Sequence, residues 1–228
     1  MNTNPAHGLL SALRTANVER QKEWKGSEGI TLPFHANELY GECGELANVL
    51  KKILRLQTGI QGDLRLPSYE LRNSLAHELA DVVICADLLL NHLAIRPLKP
   101  EWMLDWIYAE DPSDILYLMS EIAKLSAKVF EISILLDVSY SDTRNLSLQH
   151  DMREFHELVV ATEKMVMLVK AIAVGYSVDL RLAIPRKFNQ TSGKMGLSTR
   201  MEIPAGAFTK STSPSEAEST AKTGTKNE

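Results

Sequence analysis

Apolar positions recur at three- and four-residue spacings along most of the chain, with polar positions filling the opposite arc. Runs of alternating β-branched residues and tight hairpin turns are absent from the sequence. The pattern predicts an all-α protein with helices over about 6–25, 35–57, 69–95, 98–109, 112–136, 147–175 and 178–192. The breaks between them have chemical causes. Gly26 and Gly29 follow the first helix and Pro33 precedes the second. Gly59 and Gly62 lie in the loop after it, and Pro67 with Ser68 announces the third. Asp111-Pro112-Ser113 divides the chain into halves, and Ser141-Asp142 marks a further loop. From about 203 onward large apolar residues are scarce, which predicts a disordered tail over 203–228.

Composition adds limits. With 44% hydrophobic and 24% charged residues over 228 positions, the chain can build a sizeable core. A net charge of -4 gives no basic face, which argues against broad attraction to nucleic acid or membrane surfaces. The most apolar stretch, DVVICADLLLNHLAI (81–95), is too short and too polar for a membrane span. The opening MNTNPAHGLL lacks the features of a signal peptide, so the expected compartment is the cytoplasm. Cys43 and Cys85, both within apolar-periodic segments, are expected to be reduced and packed in helices.

A weak internal repeat is visible at a shift of about 79 positions. LYGECGELANVL (39–50) lies over LMSEIAKLSAKV (118–129), and HELADVVICADLLLNHLAI (77–95) over HELVVATEKMVMLVKAIAV (156–174). Glu42 falls on Glu121, His77 on His156 and Glu78 on Glu157, whereas Glu45 falls on Lys124 and Asp81 on Val160. Either amphipathic helices resemble one another by chance, or a helical unit was duplicated and its second copy lost half its acids.

The acids of the first copy carry the candidate chemistry. Glu38, Glu42 and Glu45 share one helical face, and Glu78 and Asp81 are spaced i, i+3 on the next long helix. Each pair is flanked by core-type residues, so the two would stand close in a poorly hydrated groove and need cations or protons. Spacing alone leaves two readings, solvated acidic faces or a site for Mg²⁺ or Mn²⁺, the hard cations that oxygen-only clusters select. Mg²⁺ usually binds together with substrate phosphates, which points to phosphate-ester or anhydride chemistry. Lys51, Lys52, Arg55 and Arg65 follow the acidic helix, and Arg186, Lys187, Lys194 and Arg200 come later. They suit a polyphosphate ligand or an ordinary charged surface.

The order GECGEL (41–46), a lysine pair, a loop and HELADVVI (77–84) resembles the MazG-like all-α nucleotide pyrophosphohydrolases, which carry EExxE on one helix and ExxD on a later one. The likeness extends to ANVERQKEW (16–24), ITLPFHANEL (30–39) and KFNQTSGKMGLSTRM (187–201), covering about 10–95 and 178–201. It implies a four-helix unit in which Glu42, Glu45, Glu78 and Asp81 bind Mg²⁺. The metals would hold a nucleoside triphosphate while an activated water attacks the α-phosphorus, yielding a monophosphate and pyrophosphate. Glu45 or Glu38 would orient or deprotonate that water. Gln21, Trp24 and Asn37 would form the base pocket, though Trp24 also suits a core position at a helix end. Lys187, Asn189, Ser192 and Lys194 would close over the phosphates.

Two departures from the family pattern matter. Gly41 stands where EExxE has its first glutamate, which leaves the number of metals and the identity of the base open. About 80 residues are also interposed before the closing segment. They hold the second copy, which suggests a tandem pseudo-dimer: a catalytic half at 1–110, a degenerate half at 111–202 that includes the closing segment 178–201, and the tail. Glu121, Glu157 and Glu163 would then be structural. The family forms homo-oligomers; a second copy replacing the partner would allow a monomer. Two alternatives remain: a catalytically silent nucleotide-binding or helical interaction module, and an enzyme acting on phosphoribosyl-ATP or an alarmone.

Overall fold

A computed structural model describes residues 5–60, 68–98, 112–141 and 148–204. Among these, six α-helices and one 3₁₀ turn (Ser27–Gly29) account for the regular structure, and no strand occurs. The helices are α1 (Pro5–Glu23), α2 (Leu32–Gln57), α3 (Ser68–His92), α4 (Pro112–Ser141), α5 (Leu148–Gly175) and α6 (Leu180–Lys194). The all-α expectation is met. The helix expected over 98–109 and the tail lie almost wholly outside the described residues; Leu98 is described and is not helical.

Differences at the helix ends have local causes. α2 starts at Leu32 rather than after Pro33. The Thr31 side chain caps it by accepting from the Phe34 amide, and a proline in the first turn loses no helical hydrogen bond. α3 stops at His92, three residues earlier than the apolar pattern suggests. Ala94 adopts a left-handed conformation (φ 54), and the Ile95 amide closes the helix by donating to the Leu90 carbonyl at 2.9 Å. An apolar run with no glycine gives no sign of that stop. α6 starts at Leu180 because Asp179 caps it, accepting from the Arg181 amide at 2.9 Å. Pro185 is nonetheless accommodated within α6. Removing the cap with Asp179→Ala should cost about 1 kcal/mol and lower the melting temperature by a few degrees, measured by circular dichroism.

α2 packs on α3, α4 on α5, α2 on α4 and α3 on α5, so these four helices enclose the main core. Leu39, Leu46, Leu50, Leu75, Leu79, Ile122 and Leu158 are fully buried in it. α1 and α6 pack on α3 and on each other. α3 therefore touches four other helices, which explains why it is apolar around most of its circumference. Cys43 is buried and Cys85 half-buried, and both are unpaired. Among the described residues no helix is long and apolar enough to cross a membrane.

The segment after α6 is fastened at two points. Asn189 uses both ends of its amide on Met201: Nδ2 donates to the carbonyl at 2.9 Å, and Oδ1 accepts from the amide at 2.7 Å. At the end of α1 the Glu23 carboxylate accepts from the Ser198 amide at 2.5 Å, the Thr199 amide at 2.8 Å and the Thr199 hydroxyl. The Thr199 hydroxyl, then the backbone donors, hold the Glu23 carboxyl down to about 2.

Candidate metal centre

α2 and α3 bring carboxylates from both pairs together. One oxygen each from Glu42, Glu78 and Asp81 lie within 4.8 Å of one another, and all three residues are half-buried. The i, i+3 spacing aligns Glu78 and Asp81 on the face of α3 that meets α2. Oε2 of Glu78 is buried and has no hydrogen-bond partner. An orphaned carboxylate oxygen in such a place is costly unless a cation or proton completes it. An oxygen-only set suits Mg²⁺ or Mn²⁺ and not softer metals.

Burial and mutual repulsion dominate the electrostatics. Burial, then the charges of Asp81, Glu45 and Glu78, raise the Glu42 carboxyl to about 7. Burial likewise raises Glu78 and Asp81, against the pull of Lys187. Lys187 of α6 makes an ion pair with Asp81, Nζ to Oδ2 at 2.5 Å. Burial alone would lower the Lys187 ammonium, but Asp81, Glu78 and Glu42 together raise it.

These shifts set a pH dependence. The Glu42 carboxyl of the fold lies above its ordinary value of 4.5, so its contribution to stability is intact below about 4.5 and is lost as the pH rises through about 7. In metal-free buffer the wild type should therefore lose melting temperature relative to Glu42→Gln between about pH 5 and about pH 8. Melts of the two proteins in parallel isolate this effect. The comparison is needed because His35 works in the opposite sense: burial, then His92, lower its imidazole to about 4. The neutral His35 stabilises the fold above its ordinary value of 6.5, and that stability fades as the pH falls toward 4.

The other expected residues are distributed unevenly. Glu45 is exposed and gives no oxygen to the triad, although its charge acts on all three acids. Glu38 is exposed one turn earlier on α2. Lys52 is half-buried and its charge reaches Glu78, whereas Lys51 and Arg55 are exposed. Arg65 lies outside the described residues. Lys194 is exposed, and its charge reaches His77. Asn189 is engaged by Met201, and Ser192 is fully buried with its hydroxyl unpartnered. Asn37 is exposed, Trp24 is 39% exposed, and Gln21 is half-buried with Oε1 accepting from Asn91 Nδ2 at 3.2 Å.

Arg20 is a member of the site that sequence reasoning missed. It is buried, its guanidinium lies 3.9 Å from the centroid of the Phe188 ring, and its charge reaches Asp81. Its Nη2 donates to Asn17 Oδ1 at 3.2 Å. A signal was available: Leu10, Leu13, Asn17 and Arg20 form one helical stripe, so two polar residues continue the buried face of α1.

The positions aligned with the triad in the second half are different. Glu121 pairs with Lys124 at 2.8 Å, Glu157 pairs with Lys128 at 2.9 Å and Arg153 at 3.2 Å, and Val160 is exposed. Their acids are thus held by neighbouring side chains rather than by one another.

Comparison of the chain with protein-family models, with curated proteins and with solved structures gives no match in any of the three.

Proposed function

We propose that the chain is a divalent-cation-dependent nucleotide pyrophosphohydrolase, cleaving nucleoside or deoxynucleoside triphosphates to a monophosphate and pyrophosphate. The observation that carries this reading is the convergence of Glu42, Glu78 and Asp81 within 4.8 Å, with a buried Glu78 oxygen left unpartnered. The resemblance to the MazG-like enzymes supports it. Glu42, Glu78 and Asp81 would hold Mg²⁺ or Mn²⁺. A bound cation would offset phosphate charge and make the attacking water more acidic. Lys52 and Lys187 supply positive charge beside the acids and Lys194 beside His77, suited to a polyphosphate. Glu45, exposed and outside the triad, is the proposed base, and Glu38 is the other candidate. The water oxygen bonds to the α-phosphorus, its proton passes to the carboxylate, and the α–β bridging bond breaks with pyrophosphate leaving.

Trp24 and Gln21, at the end of α1, are the proposed base-binding residues, with Asn37 at the start of α2. The packing of α4 on α5, which parallels that of α2 on α3, supports a tandem pseudo-dimer in which α4 and α5 replace a partner's packing surface. A cytoplasmic monomer fits that arrangement. The test is a panel of common NTPs and dNTPs, phosphoribosyl-ATP and an alarmone, assayed for pyrophosphate release with Mg²⁺ and with Mn²⁺. Release from none of them sinks the enzyme reading.

One observation favours a second reading, a nucleotide-binding module without turnover. Gly41 supplies no carboxylate and Glu45 stays out of the cluster, so fewer acids converge than a two-metal site uses. Calorimetric nucleotide binding with no product formed would establish it.

A further inference from the structure

The ion pair between Lys187 and Asp81 joins residues of α6 and α3 that no local pattern brings together. Its 2.5 Å contact engages one of the two carboxylate oxygens of Asp81, a residue that a metal bound by the triad would need. With all three acids ionised, the cluster and one ammonium carry two negative charges; a divalent cation in place of the ammonium leaves one. The exchange is therefore electrostatically downhill. The ammonium sits on a flexible four-carbon stem, so it can leave Asp81 without moving α6.

We propose that Lys187 is a built-in counter-ion, which occupies Asp81 in the cation-free protein and is displaced when a divalent cation loads. This rests on the metal reading of the triad. Three observations carry it. Lys187 touches Asp81 directly, Asp81 belongs to the only candidate metal cluster among the described residues, and Glu78 Oε2 stays unpartnered even with the lysine present. The lysine thus satisfies one acid and leaves a vacancy at another, as a single charge standing in for a larger one would. Once displaced, its ammonium remains beside the cluster and is available to a phosphate oxygen. Cation loading and phosphate capture are then one exchange: a nucleotide that takes the lysine also removes the competitor for the metal.

The role is one of positioning and regulation, and it separates metal affinity from turnover. Mn²⁺ binding is measured by calorimetry without nucleotide for the wild type, Lys187→Met, Lys187→Gln, Lys187→Arg and Glu78→Gln. Lys187→Met and Lys187→Gln should bind Mn²⁺ about tenfold more tightly, since a charge-assisted competitor is gone, while Lys187→Arg stays near the wild type. Pyrophosphate release by the two neutral variants should fall despite the tighter metal. Two neutral variants guard against a folding defect in one of them, which melting curves would reveal. Equal or weaker Mn²⁺ binding by the neutral variants overturns the counter-ion role; if Glu78→Gln still loses Mn²⁺, the metal centre itself stands. Absence of Mn²⁺ binding in every protein overturns both.

Discussion

Glu78→Gln should lower Mg²⁺-dependent pyrophosphate release by about 10²–10³-fold, the scale seen when a group that stabilises transition-state charge is removed. The substitution keeps the shape of the side chain and deletes one charge from the triad. It also puts an amide where a buried, unpartnered carboxylate oxygen stands. Burial already raises the Glu78 carboxyl, so the fold bears a cost for its ionised form that the amide avoids. The variant should consequently keep its helix content and melt at or above the wild-type temperature in metal-free buffer. Activity loss with undiminished stability separates a ligand from a packing residue. Retention of more than about a tenth of wild-type activity would remove Glu78 from the centre.

The largest effect on stability is expected at Asp87, away from the triad. Asp87 is fully buried on α3 and is held by α1. Arg14 Nε donates to both of its carboxylate oxygens at 3.1 Å, Arg14 Nη2 lies 2.9 Å from Oδ1, and Asn17 Nδ2 donates to Oδ2 at 2.9 Å. Arg14 Nη1 also donates to the Ile95 carbonyl at 2.5 Å, just beyond the end of α3. Burial raises the Asp87 carboxyl even against Arg14, so the pair is expensive as well as well connected. Asp87→Ala would remove the carboxylate from the guanidinium and the Asn17 amide and leave them only backbone carbonyls, at a cost of about 3–5 kcal/mol. Arg14→Met combined with Asp87→Leu should recover part of that loss, because an apolar pair avoids both desolvation terms while the Asn17 amide and the Ile95 carbonyl still lose a partner. Urea denaturation of the single and double variants checks it. A loss under about 1 kcal/mol for Asp87→Ala would show that water reaches the site and replaces the carboxylate.

How much of this was legible in the sequence depends on the range of the interaction. Among the described residues the periodic apolar positions predict the helices in the right places, because burial on a helix repeats at helical intervals. The Glu42, Glu78 and Asp81 cluster was legible too, since acids flanked by core residues on two adjoining helices have few places to point. The Lys187–Asp81 pair was not, nor was the sharing of Asp87 between Arg14 and Asn17; long-range pairing leaves no mark on local spacing. In the sequence Asp87 is only one of the polar residues within the apolar run 81–95. Glu45 shows the limit of spacing even at short range. It lies three residues from Glu42, the same spacing that brings Glu78 and Asp81 together, yet it is exposed and outside the triad, so spacing alone does not decide which acids converge. Asn189 marks another limit: a polar residue in a turn-rich segment suits a phosphate contact and a backbone clasp equally, and here it clasps Met201.

That clasp and the Glu23 contacts bear on how the protein is made. α1 packs on α3 and α6, and its last carboxylate binds an amide 175 residues downstream. At about 5–20 residues per second, a ribosome completes that partner on the order of ten seconds or more after α1 has been synthesised. Until then the buried stripe of Leu10, Leu13, Asn17 and Arg20 lacks part of its cover, and the cation over Phe188 has no ring to rest on. Helix α1, which carries the proposed base-binding Gln21, is thus translated well before the segment that seats it, so a nascent chain would complete the proposed base-binding site only after Met201 has been added.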